Sequence, residues 1–468
     1  MNQGRTLLIR GGTVVTPEML LEDTDILVSG EVIQAIGKNL PAPESSEVVD
    51  ARDLVVLPGV IDAHTHIQLD TGIYQTPDDW LSGSRAAAFG GVTTVVDFAT
   101  QFKGQTFEQA LEARLQEAAP AVIDYAFHMM VTDVPPGQED ELGALPELGI
   151  QSVKLYTTYR PNYYADDATI LRLLEAAGRY GIISLIHCEN DSLVTAQTQA
   201  LVEAGQTGWR YHGASRPSLA EQEATARVLF LAEAANAPVV IAHNSTGLTA
   251  ALVANARKSG QVAFSETTPQ YLLLDDAVYQ GTGTSDPPDP WRYILQPPLR
   301  AAAEKEKLWE LLGGGWVDMI SSDHCDYTEA QKRAGNDNFT RTPGGLPGVE
   351  TLLPLLATYG VGDGRLHWTD LARMVSANPA HIYNLWPSKG VLVPGADADI
   401  VLYDPVGEST LDVENSHTLA GYSPYAGWRV QGRVVSTFSR GAFLVRDGEF
   451  VGEPGRGQYL HREPSFWH

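Results

Sequence analysis

Short apolar runs rich in β-branched residues recur through the middle of the chain, at residues 55–66, 91–98, 123–130, 152–156, 182–188, 239–243, 262–266 and 318–323. Between them lie longer stretches with Leu and Ala at helical spacing, such as 168–180 and 220–235. Eight strands alternating with helices predict a (β/α)8 TIM barrel. Toward both ends the rhythm changes to alternating strand-and-turn segments, as in Leu7-Leu8-Ile9-Arg10, Asp25-Ile26-Leu27-Val28 and Ala398-Asp399-Ile400-Val401. Residues 1–57 and 390–468 are therefore expected to build one smaller β-sandwich together, with the barrel occupying 58–389.

The polar residues that close these runs carry the chemistry, because catalytic groups of such barrels sit at the C-terminal ends of the strands. His64 and His66 end the first run, Lys154 lies in the fourth, His187 ends the fifth, His243 the sixth and Asp323 the eighth. On an extended segment His64 and His66 share a face and can reach one ion. An H-x-H pair alone is weak, and His187 or His243 alone reads as a hydrogen-bonded rim histidine. Four histidines at equivalent strand ends, with an aspartate that can bind a cation and accept a proton from water, point to a metal site. Lys154 is the anomaly, since a protonated amine would repel the cations. Either an acid pairs with it, or carbon dioxide converts it to an anionic carbamate able to bridge two metals. His128, near the end of the third run, reads as an ordinary rim histidine, with support of a ligand as the alternative.

Composition narrows the setting. The 468-residue chain is long enough for a barrel and a second domain, and its 43% apolar content holds no run of the roughly 20 residues a membrane span needs. The start, Met1-Asn2-Gln3-Gly4-Arg5, lacks the regions of a secretory leader, and two cysteines, Cys188 and Cys325, exclude a disulfide framework and a four-cysteine zinc site. A cytoplasmic protein is expected. With 32 basic against 58 acidic residues, a net charge of −26 disfavours nucleic acid and anionic membranes and fits a neutral small substrate, or simply a solubilising surface. Strand alternation turns Cys188 away from the side His187 faces, as a small buried hydrophobe.

With these residues in view the chain resembles the cyclic amidohydrolases of the dihydropyrimidinase and hydantoinase group over nearly its whole length. The anchors are Pro58-Gly59-Val60-Ile61-Asp62-Ala63-His64-Thr65-His66, Phe89-Gly90-Gly91-Val92-Thr93-Thr94, Lys154-Leu155-Tyr156-Thr157-Thr158-Tyr159, Ile186-His187-Cys188-Glu189-Asn190 and Ser322-Asp323-His324. More specific to the subgroup are Tyr211-His212-Gly213-Ala214-Ser215-Arg216-Pro217, Glu266-Thr267-Thr268-Pro269-Gln270-Tyr271-Leu272 and Gln331-Lys332. The resemblance implies a homotetramer and two zinc-like ions, Mn or Co being compatible with the same ligands. It implies N6-carboxylation of Lys154 as the metal bridge, with His64, His66, Lys154 and Asp323 serving one ion and Lys154, His187 and His243 the other. A bridging hydroxide would attack the ring amide, Asp323 would move its proton to the leaving nitrogen, and Tyr159 would hydrogen-bond the oxyanion. Opening of 5-substituted hydantoins or 5,6-dihydropyrimidines to N-carbamoyl amino acids is the implied reaction.

Two positions depart from the group. Gln296 stands where Ser usually precedes Pro-Pro-Leu-Arg, and Gly344 where Asn usually precedes Gly-x-Pro. The resemblance implies that the ring amide is held at these positions largely through main-chain atoms, so the changes need not abolish binding, but they leave the exact substrate open. Loops after the first and fourth runs carry Ile67, Leu69, Ile73, Tyr74, Tyr156, Tyr163 and Tyr164, which suit either an apolar ring substituent or a subunit interface. Among rivals, dihydroorotase typically has Arg where this chain has Gln68, and allantoinase shares the ligand pattern. A non-catalytic scaffold of the same fold would have no reason to keep all six ligand positions.

Overall fold

The computed structural model describes residues 6–44, 46–281 and 289–464. Residues 1–5, on which the reading of the chain's start rests, lie outside them. Strands β1 (Thr6–Val15), β2 (Leu20–Ser29), β3 (Val32–Gly37), β4 (Glu47–Asp50) and β5 (Val55–Pro58) come first. Barrel strands follow as β6 (Val60–Asp62), β7 (Val92–Gln101), β8 (Asp124–Val131), β9 (Ser152–Tyr156), β10 (Ile183–His187), β11 (Val239–Ile241), β12 (Ala263–Thr267) and β13 (Met319–Ile320). The chain closes with β14 (Ile400–Thr410), β15 (Arg429–Ser439), β16 (Ala442–Arg446) and β17 (Glu449–Phe450).

Strands β6 to β13 pair in sequence order, all parallel. The ring closes just beyond β6 and β13, where Thr65 bridges to His324 and the His66 N–H donates to the His324 carbonyl at 2.7 Å. Helices cover the outside, so every residue of β8 is buried, as expected of a strand covered on both faces. The expected helices appear as α1 (Asp167–Arg179) and α2 (Ser218–Ala235). Asp166 caps α1 by accepting the Thr169 N–H, and Ile170, Leu173, Leu174 and Ala177 make its inward face.

Both chain ends build the other sheet, a nine-stranded one in the order β17-β16-β15-β14-β5-β1-β2-β3 with β4 against β1. It has its own core, including Leu7, Ile26, Val56, Ile400 and Phe438. Strand β5 joins the two ends, parallel to β1 and antiparallel to β14. The single run expected at 55–66 is thus two strands in two sheets, and Gly59 is the crossing point. A Cβ there would lie 2.1 Å from Thr93 Oγ1, so close packing against β7 requires glycine. Lys389 ties the sheets together: its buried ammonium donates to Asp124 at the start of β8 (2.6 Å) and to Asp399 (2.8 Å). Among the described residues no helix is long and apolar enough to cross a membrane.

Candidate metal centre

All six expected ligands line one cavity of about 390 Å³ at the C-terminal mouth of the barrel, together with Tyr159, Gln296 and Gly344. The short strands place them there: β9 carries Lys154, β10 ends at His187, and β11 and β13 stop just before His243 and Asp323. His64 and His66 follow β6, and their Nε2 atoms lie 3.4 and 3.3 Å from one oxygen of Asp323, as a shared-face pair should. The three form a group whose ligand atoms all lie within 4.8 Å of one another. His187 Nδ1 and His243 Nε2 face each other at 3.0 Å on the other side, with the His64 and His243 rings 5.4 Å apart.

Carboxylates behind the rings fix which nitrogens are bare. Glu266 Oε2 accepts the His243 backbone N–H (3.0 Å) and the Nδ1–H of His64 (2.7 Å), leaving His64 Nε2 without a proton toward Asp323. Glu189 Oε2 likewise accepts the Nε2–H of His187 at 2.7 Å, which turns a bare Nδ1 to His243. Burial alone would raise the Glu189 carboxyl, but the Arg216 guanidinium and the His187 ring hold it at about 2. Burial, then the Lys154 amine, pushes His64 well below the ordinary histidine range, and burial also lowers His187 and His243. Burial thus favours the neutral form of these three imidazoles, the form that ligates metals.

Lys154 is fully buried, and its amine has no hydrogen-bond partner among the described residues. Its Nζ lies over Phe98 and Tyr156, 5.5 and 5.3 Å from the ring centres. Burial drives its pKa down to about 8 against the opposing pull of Glu266 and Asp323. A readily deprotonated, orphaned amine beside these rings fits conversion to a carbamate, and this donor set suits two divalent cations. Three residues of the site have left-handed backbone: Tyr159 (φ 75°), His243 (φ 35°) and Asp323 (φ 52°). Such strain in non-glycine residues persists only where surroundings over-determine it, and it clusters at functional sites. Tyr159 stands 5.0 Å from the His187 ring, below the Arg216 guanidinium at 5.2 Å.

Sequence reasoning assigned no role to Glu266, Glu189 or Arg216. Glu266 closes the seventh run and Glu189 stands two residues past a ligand, so strand-end position and spacing could have flagged both. His128 is not on the rim: it is buried inside the barrel, bonding Ser152 Oγ (2.6 Å) and the Ala63 carbonyl (2.9 Å) next to His64. Cys188 is buried in the core outside the strands, and Cys325 lines the cavity. The stretches specific to the subgroup converge on one segment of the cavity wall. His212 donates to the Leu295 carbonyl (2.7 Å), Lys332 to that of Ile294 (2.7 Å) and Tyr271 to that of Pro297 (2.6 Å).

The model of the family described as "Amidohydrolase family" matches residues 55–444. The chain belongs to the amidohydrolase family. Within it, this amidohydrolase is of the dihydropyrimidinase and hydantoinase type. It is 38% identical to a D-phenylhydantoinase of Escherichia coli (strain K12 / DH10B) over 98% of each chain. The solved dihydropyrimidinase from Brevibacillus agri superposes with a TM-score of 0.94 at 36% identity, covering 98% of this amidohydrolase and 99% of that chain. An L-hydantoinase (dihydropyrimidinase) from Arthrobacter aurescens gives 0.90 at 28%, covering 97% and 99%.

Proposed function

We propose that this amidohydrolase opens cyclic amides, 5-substituted hydantoins or 5,6-dihydropyrimidines, to N-carbamoyl amino acids in a metal-dependent reaction. The observation that carries the reading is the meeting of bare imidazole nitrogens and the Asp323 carboxylate around the orphaned, buried Lys154 amine. His64, His66 and Asp323 would hold one divalent ion, His187 and His243 a second, with carboxylated Lys154 between them; Zn, Mn and Co all suit these donors. When bound, such ions supply an acidified water as nucleophile and a Lewis acid for the scissile carbonyl.

The protein's own groups do the rest. Asp323 Oδ1 takes the proton of the attacking water and returns it to the leaving ring nitrogen. Burial keeps the Tyr159 phenol well above the usual range, hence protonated and able to donate to the developing oxyanion. Gln296 and Gly344 border the ring, while Leu69, Ile73 and Tyr163 line the outer cavity and suit an apolar substituent at ring carbon 5. A homotetrameric assembly, a cytoplasmic setting and the absence of nucleic-acid or membrane partners complete the proposal.

The test is metal content per chain together with hydrolysis of hydantoin, 5-phenylhydantoin, dihydrouracil and allantoin, with Lys154→Ala as control. About two ions per chain, and ring opening that disappears in the variant, support the reading. No turnover after loading with zinc or manganese and bicarbonate overturns it, and preference for allantoin reassigns the substrate.

A further inference from the structure

The carbonyls on either side of Gln296 are committed, whereas its own side chain is free. Ile294 O accepts from Lys332 Nζ (2.7 Å) and from the Gly345 N–H (3.0 Å), Leu295 O from His212 (2.7 Å), and Pro297 O from Tyr271 (2.6 Å). Lys332, His212 and Tyr271 are all buried, so this bracing is rigid. The Gln296 carboxamide, by contrast, takes part in no hydrogen bond among the described residues, although it lines the cavity beside the proposed ligands. It lies where a side chain at position 344 would begin: a Cβ on Gly344 would stand 1.7 Å from Gln296 Oε1, 2.4 Å from Cδ and 2.5 Å from Nε2. The φ of Gly344 does not demand glycine, so what excludes a side chain there is Gln296 itself.

A carboxamide offers a donor and an acceptor side by side. A small ring forces its amide cis, which places an N–H and a C=O side by side with complementary polarity. Two parallel hydrogen bonds then join the two groups, and a ring lacking the N–H leaves the carboxamide oxygen unpaired, a more discriminating loss than a missing methylene. We propose that the Gln296 carboxamide reads the cis-amide edge of the substrate ring, and that Gly344 is the empty half of the same device, so that positions 296 and 344 act as one specificity unit. The inference rests on the cyclic-amide reading above.

The experiment compares kcat/KM of the metal-loaded full-length enzyme for hydantoin and its two mono-N-methyl derivatives, in wild type, Gln296→Leu, Gln296→Ser, Gly344→Ala and the Gln296→Ser/Gly344→Ala pair. Gln296→Leu is expected to lose about tenfold on hydantoin, from two neutral hydrogen bonds, and to narrow the gap to one N-methyl ring. Gly344→Ala, which pushes the carboxamide aside, should cost a similar factor in the wild type and little in the Gln296→Ser background. Equal losses on hydantoin and both methylated rings, or a Gly344→Ala effect unchanged by Gln296→Ser, overturn the proposal. Calorimetric binding of intact hydantoin separates the two readings. Binding that Gln296→Leu weakens, without turnover, keeps ring recognition and rejects hydrolysis, whereas no binding to the wild type rejects both.

Discussion

Two triads of the same residue types sit next to each other in this barrel, and they are built for opposite ends. His64, His66 and Asp323 form one; Asp78, His324 and Asp326 form the other, with ligand atoms equally close. His324 follows Asp323 in the chain and bridges to Thr65, between the two histidines of the first triad. What separates them is the far side of each ring. His64 gives its Nδ1–H to Glu266, which leaves Nε2 bare toward Asp323. His324 Nδ1 instead accepts the Gly348 and Val349 N–H groups (3.1 and 3.4 Å), so its proton resides on Nε2, 3.6 and 3.5 Å from Asp78 and Asp326. A nitrogen that carries a proton cannot ligate a metal. Burial and the neighbouring Asp78 also push the Asp326 carboxyl well above the usual carboxylate range. The first triad thus turns a bare ring nitrogen to its aspartate, as the proposed ligand set requires, and the second turns a protonated one; the partner of the other ring nitrogen makes the difference.

The comparison breaks most visibly at the ligand triad itself. Asp323→Asn keeps the shape but removes both a ligand charge and the proton acceptor, and kcat should fall by about a thousandfold, within the range of lost general acid–base catalysis. Metal analysis should show less ion per chain. Retention of full turnover would remove Asp323 from the chemistry.

Next in size come the carboxylates that set the tautomers. Glu266→Gln and Glu189→Gln should each weaken metal binding by about 10–100-fold, the usual cost of losing an outer partner of a ligating histidine, read by chelator competition. Unchanged affinity would mean that the ring protons do not depend on these groups.

How much of this was legible in the sequence follows the same division. The barrel was, and so was the meeting of the six proposed ligands in one cavity, because apolar runs that carry or lead into His, Lys or Asp bring their position with them. The splitting of the first run was not: Gly59 looks like any turn glycine until Thr93 is seen against it. Glu266 lies 202 residues from the His64 ring it orients, and no local pattern links the two. Gln296 and Gly344 stood out singly as departures, but that one fills the space of the other is a fact of contact. The second triad was invisible for the same reason, since Asp78 meets His324 only through the fold.

A smaller effect tests the tautomer argument away from the metal site. His212 donates Nε2–H to Leu295, and burial lowers its pKa from 6.5 to about 3. Between those values the unfolded chain takes up a proton that the folded state refuses. The stability this ring protects is therefore complete above pH 6.5 and is lost as pH falls toward 3, at about 1.4 kcal/mol per pH unit. From pH 7 to pH 5 the wild type should lose about 2 kcal/mol more than His212→Gln in urea unfolding. Parallel losses would mean that the ring is protonated without cost.

The smallest expected effect is the sharpest discriminator. If Asp326 already carries a proton, an amide is its near-isostere, and Asp326→Asn asks little of the structure: the Nδ2 group donates where the acid O–H did. The folding free energy should change by less than about 1 kcal/mol, the scale of one neutral hydrogen bond, and metal content should stay at the wild-type value. If Asp326 were an ionised ligand, the same change would remove a charge from a cation and cost both stability and bound metal, because uncompensated buried charges are expensive. Measuring metal content and unfolding on this single variant therefore decides whether the second triad is a neutral cluster or a metal site, and with it whether the rule drawn from the first triad is general within this fold.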